Sequence, residues 1–262
     1  MIRICLAAAA ALALAACSKA PEDVTARYTL GGGIGTITVQ AAGNGNARVE
    51  AGPQVFVHKD GNDYMVLTDN KGRFAVNMTD FIAARGEMLK EAGIKPAGMP
   101  PQGEYDLTKT GTETVAGITG DVWKVTAKKG PADQNFEAVI SSDPAYANIG
   151  KALAMQTRLG RAGAEQIQGG QGNLEKRVEE MLGKGTVLRF ADALKLDKIE
   201  KGAIDANSFT LPTVLDKAAL KARMTAERDR MRAAAPQPPV AVPPPGESAP
   251  ATPLPAPAPK AK

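Results

Sequence analysis

The sequence predicts an α+β domain built on an antiparallel sheet with one face buried. Three observations predict it. Short apolar–polar alternations recur between residues 26 and 212 and are separated by Gly, Asn and Asp turn signals, the pattern of antiparallel strands. Two longer stretches, residues 79–92 and 143–167, switch to three- and four-residue apolar spacing, the pattern of amphipathic helices. Strand residues Trp123 and Val125 point one way while Lys124 and Thr126 point the other, as in a sheet with one covered face.

Strand character begins at Ala26 and runs into Gly31-Gly32-Gly33-Ile34-Gly35 and then Thr36-Ile37-Thr38-Val39-Gln40. The glycine cluster is not a phosphate loop, because no Gly-Lys-Ser/Thr follows and the next residues are β-branched. It reads as a bulge or a sharp strand bend. A short strand at residues 47–51 precedes a hairpin, with Val55-Phe56-Val57-His58 and Tyr64-Met65-Val66-Leu67-Thr68 flanking an Asp60-Gly61 turn signal. His58 sits at the mouth of that hairpin, the place of a solvated or capping side chain rather than a catalytic one. Phe74, Val76 and Met78 share one face of the next strand by period-two alternation. Thr79 or Asp80 caps the first helix, which Gly93 and Pro96 end. Two further strand stretches lie at residues 104–110 and 113–127, and another at 136–141. Asp143-Pro144 opens the second helix, with Ala152, Met155, Leu159 and Ala162 on one stripe and a break expected near Gly160 and Gly163. A short helix with Leu174, Val178, Met181 and Leu182 follows. Strands at residues 186–191 and 194–201 complete the domain.

Both ends differ from this middle. Arg3 precedes an apolar run at residues 4–15, about a dozen residues and so shorter than the roughly 20 a membrane-spanning helix needs. Its length and flanks fit the apolar region of a secretory signal. Leu14-Ala15-Ala16-Cys17 resembles the lipobox of bacterial lipoproteins, which implies cleavage between Ala16 and Cys17 and acylation of the Cys17 thiol. Several acyl chains, at ~0.8 kcal/mol per buried CH₂, make such an anchor stable. Ser18 follows, not Asp, which in similar signals favours the outer membrane. The expected organisation is a signal at residues 1–16, a tether at 17–25, a sheet-and-helix domain at 26–212, a charged helix at 213–235 and a Pro/Ala-rich disordered tail at 236–262. The charged helix has a thin apolar stripe and reads as partly solvated, or as a basic membrane-surface helix. The tail, extended at ~3.1 Å per residue, spans on the order of 80 Å as a spacer or an arm toward a partner.

Composition narrows the function. The 262 residues hold two cysteines, Cys5 inside the signal and Cys17 at its end, so the mature domain relies on its apolar core without disulfides. With one histidine and no further cysteine, zinc and iron–sulfur sites are disfavoured and no metal or other cofactor is expected. The net charge of +4 is spread over interspersed Lys, Arg, Asp and Glu, which is no nucleic-acid footprint. Nucleophile elbows, Ser-x-x-Lys patterns and clustered carboxylate motifs are absent from the sequence, so binding is expected rather than catalysis.

The runs Glu113-Thr114-Val115-Ala116-Gly117…Val122-Trp123-Lys124-Val125 and Ile199-Glu200-Lys201-Gly202-Ala203-Ile204-Asp205…Phe209-Thr210-Leu211-Pro212 are similar to strand segments of exported proteins related to the lipoprotein-localisation factors, the LolA/LolB/LppX superfamily. The order strands, helix, strands, helices, strands agrees over about residues 25–212. The resemblance implies a half-open antiparallel β-barrel, a curved sheet whose concave apolar face is covered by helices and takes acyl chains or lipidated proteins. The Pro-rich tail and the late basic helix depart from that pattern. Under this reading the chain is a membrane-anchored periplasmic lipoprotein that binds a lipophilic ligand. Its cavity-lining candidates are Phe74, Val76, Met78, Met88, Trp123, Val125 and Met155, with the methionines of the helices as an adaptable lid. The alternative is a non-enzymatic envelope scaffold that docks a protein partner and projects its Pro-rich arm. The expected partners are the membrane, through the N-terminal lipid, and a lipophilic ligand or an envelope protein.

Overall fold

A computed structural model describes residues 22–98, 103–129, 135–168 and 173–234. The signal with Ala16 and Cys17, most of the tether and the Pro-rich tail lie outside the described residues. Among the described residues the sheet has twelve strands: β1 (Val24–Leu30), β2 (Thr36–Ala41), β3 (Ala47–Ala51), β4 (Gln54–Lys59), β5 (Asn62–Asp69), β6 (Gly72–Asn77), β7 (Glu104–Val115), β8 (Ile118–Lys129), β9 (Phe136–Ser141), β10 (Thr186–Phe190), β11 (Leu194–Lys201) and β12 (Val214–Leu215). Helices α1 (Met78–Glu91), α2 (Ala147–Gln168), α3 (Asn173–Leu182) and α4 (Lys217–Ala234) complete it.

The strand order is β12-β6-β5-β4-β3-β2-β1-β11-β10-β9-β8-β7. Two meanders, β1–β6 and β7–β11, therefore join where the first strand of one pairs with the last strand of the other. All pairs are antiparallel except the two-residue β12, which runs parallel to β6. The sheet is curved and unclosed: β7 and β12 are its edges. The described residues up to Arg223 form one compact unit, and those from Met224 a second.

Alternation sorts the apolar residues onto two faces. Tyr28, Val39 and Phe56 meet Ile149 and Met155 of α2 and Met181 of α3, all at most 1% exposed. Burying a side chain of this size contributes roughly 1.5–3 kcal/mol, so this face carries most of the core. On the opposite face Val57, Val66 and Ala75 pack with Phe209, Ile204 and Leu211, so residues 204–211 wrap the back of the first meander. Asp23 clasps the wrap, its carboxylate accepting from the Gly43 N–H at 2.8 Å and the Ile204 N–H at 2.9 Å. Those two donors hold its pKa below the ordinary carboxylate value.

Several local expectations are corrected. Met78 is not a strand residue but the first residue of α1. Asn77 caps that helix, its Oδ1 accepting from the Thr79 N–H at 2.9 Å, in place of Thr79 or Asp80. The extended backbone of Asn77 lets strand β6 end and the helix begin on one residue. The glycine cluster is a short 3₁₀ turn at Gly31–Gly33, joining β1 to β2, with Gly32 and Gly33 at positive φ. β7 is one strand of twelve residues with an irregularity between Lys109 and Gly111, not two separate stretches. α2 runs unbroken through Gly160 and Gly163, and at Gly163 an added Cβ would crowd the Arg85 guanidinium of α1. The charged helix starts at Lys217, after β12. Asp216 caps it by accepting from the Ala219 N–H at 2.8 Å. The Asp60-Gly61 hairpin turn is as expected, with φ of 50° and 78° at its two central residues.

Candidate functional site

The space in this domain lies where α2 and α3 leave the sheet. α2 packs its Ile149, Ala152 and Met155 stripe onto the core, and α3 packs Met181. The neighbouring stripes of both helices, with β10 and the start of β11, border a half-open cavity of about 620 Å³. Its walls include Leu153, Val178, Leu182, Val187, Phe190 and Leu194. Glycines 150, 160, 183 and 185 line it too; a Cβ at Gly160 would meet nothing within 4 Å, whereas one at Gly150 or Gly185 would meet neighbouring backbone. This volume falls in the range of small-molecule sites, which are mostly apolar with a few placed polar groups.

Charged groups line it from both helices, Arg158 and Arg161 on α2 and Glu175 and Glu179 on α3. Arg158 and Arg161 line the cavity, and both also line a second depression of about 270 Å³ between α2, the β4–β5 hairpin and the start of α1. The two hollows thus flank one ridge of α2. On the far side of that ridge are Asp63, Glu165, Asn62, Asn77 and Thr79. Arg158 donates to Asp63 Oδ2, and His58 Nδ1 lies 2.7 Å from Asp63 Oδ1. His58 therefore orients the carboxylate that anchors Arg158, which ties the hairpin mouth to α2. Arg161 pairs with Glu179 of α3 at 2.5 Å and lies 3.8 Å from Glu165. Glu175, in the first turn of α3, is exposed at the cavity rim.

The structure distributes the seven sequence-derived candidates over the domain. Met155, Val76 and Val125 are 0% exposed and sit packed in the interior. Phe74 is buried under the Arg223 guanidinium, 4.1 Å from the ring centroid. Trp123 is half-buried with Lys184 Nζ 5.1 Å from its ring centroid, and Met88 is half-buried on α1. Met78 alone among the seven lines one of the two hollows, the smaller one. The cavity walls are instead Leu153 on α2, Val178 and Leu182 on α3, and Val187, Phe190 and Leu194 on the sheet. The sequence signal for the α3 wall is its apolar stripe, Leu174, Val178, Met181 and Leu182.

No group of three or more His, Cys, Asp and Glu among the described residues is placed to hold a metal ion. No helix among them is long and apolar enough to cross a membrane.

No protein-family model matches this chain, and no curated protein matches it. Solved structures do, two of them as follows. One is titled "Crystal structure of MucB", at 14% identity with a TM-score of 0.32, covering 74% of this chain and 58% of that one. The other is titled "Crystal structure of MucB in complex with MucA(peri)", at 14% identity with a TM-score of 0.28, covering 74% of this chain and 55% of that one. The chain thus spans between half and two thirds of the length of the structures it matches.

Proposed function

We propose that this protein is a lipid-anchored envelope protein of the bacterial periplasm whose domain binds a lipophilic ligand rather than catalysing a reaction. The observation that carries the reading is the apolar cavity of about 620 Å³ between α2, α3 and the sheet. The hollow is half open, so its apolar walls meet water, and an acyl chain laid along them would remove that surface from water. The ligand lies between helices and sheet at the α2–α3 end, because the concave face under α1 and the rest of α2 is filled by the core. The membrane anchor of this reading is acylated Cys17 in the outer membrane, supported by the lipobox resemblance and by Ser18.

The full chain carrying Cys17→Ser, exported without its lipid, tests the binding function. A fluorescent fatty acid such as parinaric acid should bind saturably and be displaced by palmitate. Val178→Trp should fill the cavity and abolish that binding with little change in melting temperature. If the unfilled chain binds no probe and yields no lipid on organic extraction, the lipophilic reading fails. The non-enzymatic scaffold that docks a protein partner then takes its place.

A further inference from the structure

We infer that the open edge of β7 docks a second copy of this chain, the two β7 strands pairing antiparallel about a two-fold axis at Gly111. β7 ends the sheet and, among the described residues, pairs only with β8. An edge strand offers a row of main-chain N–H and C=O groups to any strand that can lie beside it. Folded proteins blunt such edges with a short strand, a proline, a cover or a repelling charge. β7 has twelve residues and no proline. Its cover stops early: Asn173 and Arg177 of α3 donate to the carbonyls of Gly103 and Tyr105, both at 3.1 Å. From Thr108 to Thr112, and again at Thr114, the residues are exposed.

The open stretch selects its occupant. It reads Thr108-Lys109-Thr110-Gly111-Thr112-Glu113-Thr114, a pattern that mirrors itself about Gly111. In an antiparallel pair centred there, Thr110 faces Thr112 of the copy, Thr108 faces Thr114 and Lys109 faces Glu113. Threonine pairs and opposite charges directly across a ladder both stabilise it. An edge guarded by charge would carry one sign and repel its own copy; here two signs stand on either side of the centre and meet their opposites. Neither charge is idle within one copy, since Lys109 lies 2.8 Å from Asp121 and Glu113 is held by Arg189. Their side chains keep 50% and 39% exposure, so across the axis they set the register while main-chain hydrogen bonds hold the strands. Sliding one strand by four residues would set Lys109 against Lys109 or Glu113 against Glu113. At the centre Gly111 meets Gly111, where an added Cβ would touch nothing within 4 Å, and the backbones have room at the irregularity between Lys109 and Gly111. Seven residues of one edge bury less than the roughly 1,200 Å² of a standard interface, so the pair is weak and concentration-dependent. The cavity plays no part in it.

The test uses the full chain carrying Cys5→Ser and Cys17→Ser, which leaves no native thiol, with single cysteines added on β7. Residues directly opposite in an antiparallel pair have Cα atoms about 4.5–5.5 Å apart, within disulfide range. Oxidised with copper phenanthroline, Gly111→Cys should form a covalent dimer at least about tenfold faster than Gly202→Cys, where an added carbon also has open space. Thr114→Cys, about 20 Å from its counterpart in the copy, should match that slow control. A mixture of Thr108→Cys and Thr114→Cys should form the mixed dimer at the fast rate. Lys109→Glu in the Gly111→Cys chain should slow cross-linking about threefold, with little change in the melting temperature of the reduced monomer. Gly111→Cys no faster than Gly202→Cys overturns the second copy as occupant and leaves the edge to a strand of another protein. Thr114→Cys cross-linking to itself at the fast rate overturns the two-fold register. An unchanged rate in Lys109→Glu overturns the pairing of Lys109 with Glu113.

Discussion

The Arg189 guanidinium of β10 grips the Glu113 carboxylate of β7 with two nitrogens, at 2.7 Å and 3.2 Å, although β8 and β9 lie between those strands in the sheet. Three strand spacings in a flat sheet are about 14 Å, beyond the reach of two side chains. The sheet must therefore roll, so that the tip of the β7–β8 hairpin comes over β10. Val115 and Ile118 at that tip are buried as a result. Arg189 also holds Glu137 of β9 at 2.6 Å, so one cation closes the roll against two anions.

Arg189→Ala should open this corner. It removes three charge-assisted contacts and leaves Glu113 and Glu137 beside each other without a cation. The expected cost is roughly 1.5 kcal/mol, the lower end for hydrogen bonds to charged groups because both glutamates are partly exposed. Urea unfolding of the variant against the parent chain measures it. Glu113→Gln should cost less, since it keeps an acceptor and removes one of the two negative charges.

Acid should loosen the start of α4 through Asp69. Arg223 donates twice to this carboxylate, and that pairing, more than any other influence, lowers its pKa from 3.8 to about 2. A carboxylate depressed on folding contributes stability that is full above the unfolded value and is lost as pH falls through the folded one. The loss from this pair therefore falls between about pH 4 and pH 2. Glu87, lowered by Lys217 and then Lys221, adds in the same direction on the facing helix. Asp69→Asn should remove its share of the acid dependence while lowering stability at neutral pH. Thermal melts from pH 2 to 6, compared between parent and variant, check both signs.

Tyr28 should resist alkali. Its hydroxyl donates to the Val187 carbonyl at 2.9 Å beside the irregularity in β10, and the side chain is 0% exposed. Burial pushes its pKa well above the usual 10.0. The unfolded chain loses this proton first as pH rises, so stability declines above about pH 10. Tyr28→Phe should cost about 1–2 kcal/mol near neutrality, because the Val187 carbonyl is left without its partner. The variant should also show a shallower decline in alkali. Denaturation at pH 7 and pH 11 separates the two effects.

Gly185→Ala tests the backbone at the cavity wall. A Cβ there would lie 2.1 Å from the Ser141 carbonyl oxygen, a backbone atom that cannot swing aside. The substitution should push β10 away from β9 and destabilise the chain by roughly 1–3 kcal/mol or more. Gly202→Ala, where nothing lies within 4 Å of the added carbon, serves as the control and should melt like the parent.

Local chemistry made much of the fold legible. Asp60-Gly61 supplies the two positive-φ residues of a tight hairpin turn, and the hairpin forms there. Asp143-Pro144 caps and starts a helical stretch, with Asp143 accepting from the Ala145 N–H at 2.9 Å. The site was less legible. Met155 and Leu153 have the same residue class and the same helix, yet one is sealed in the core and the other faces a cavity.

By itself the sequence determined where strands and helices lie and which residues share a face, because periods of two and 3.6 are properties of the local backbone. The tertiary structure decided what covers each face. It paired β1 with β11 across more than 160 residues, rolled β7 over β10 through Glu113 and Arg189, and set Arg158 and Arg161 between two hollows. Those relations depend on side chains distant in sequence. A one-dimensional pattern records neither the distance between them nor the volume they enclose.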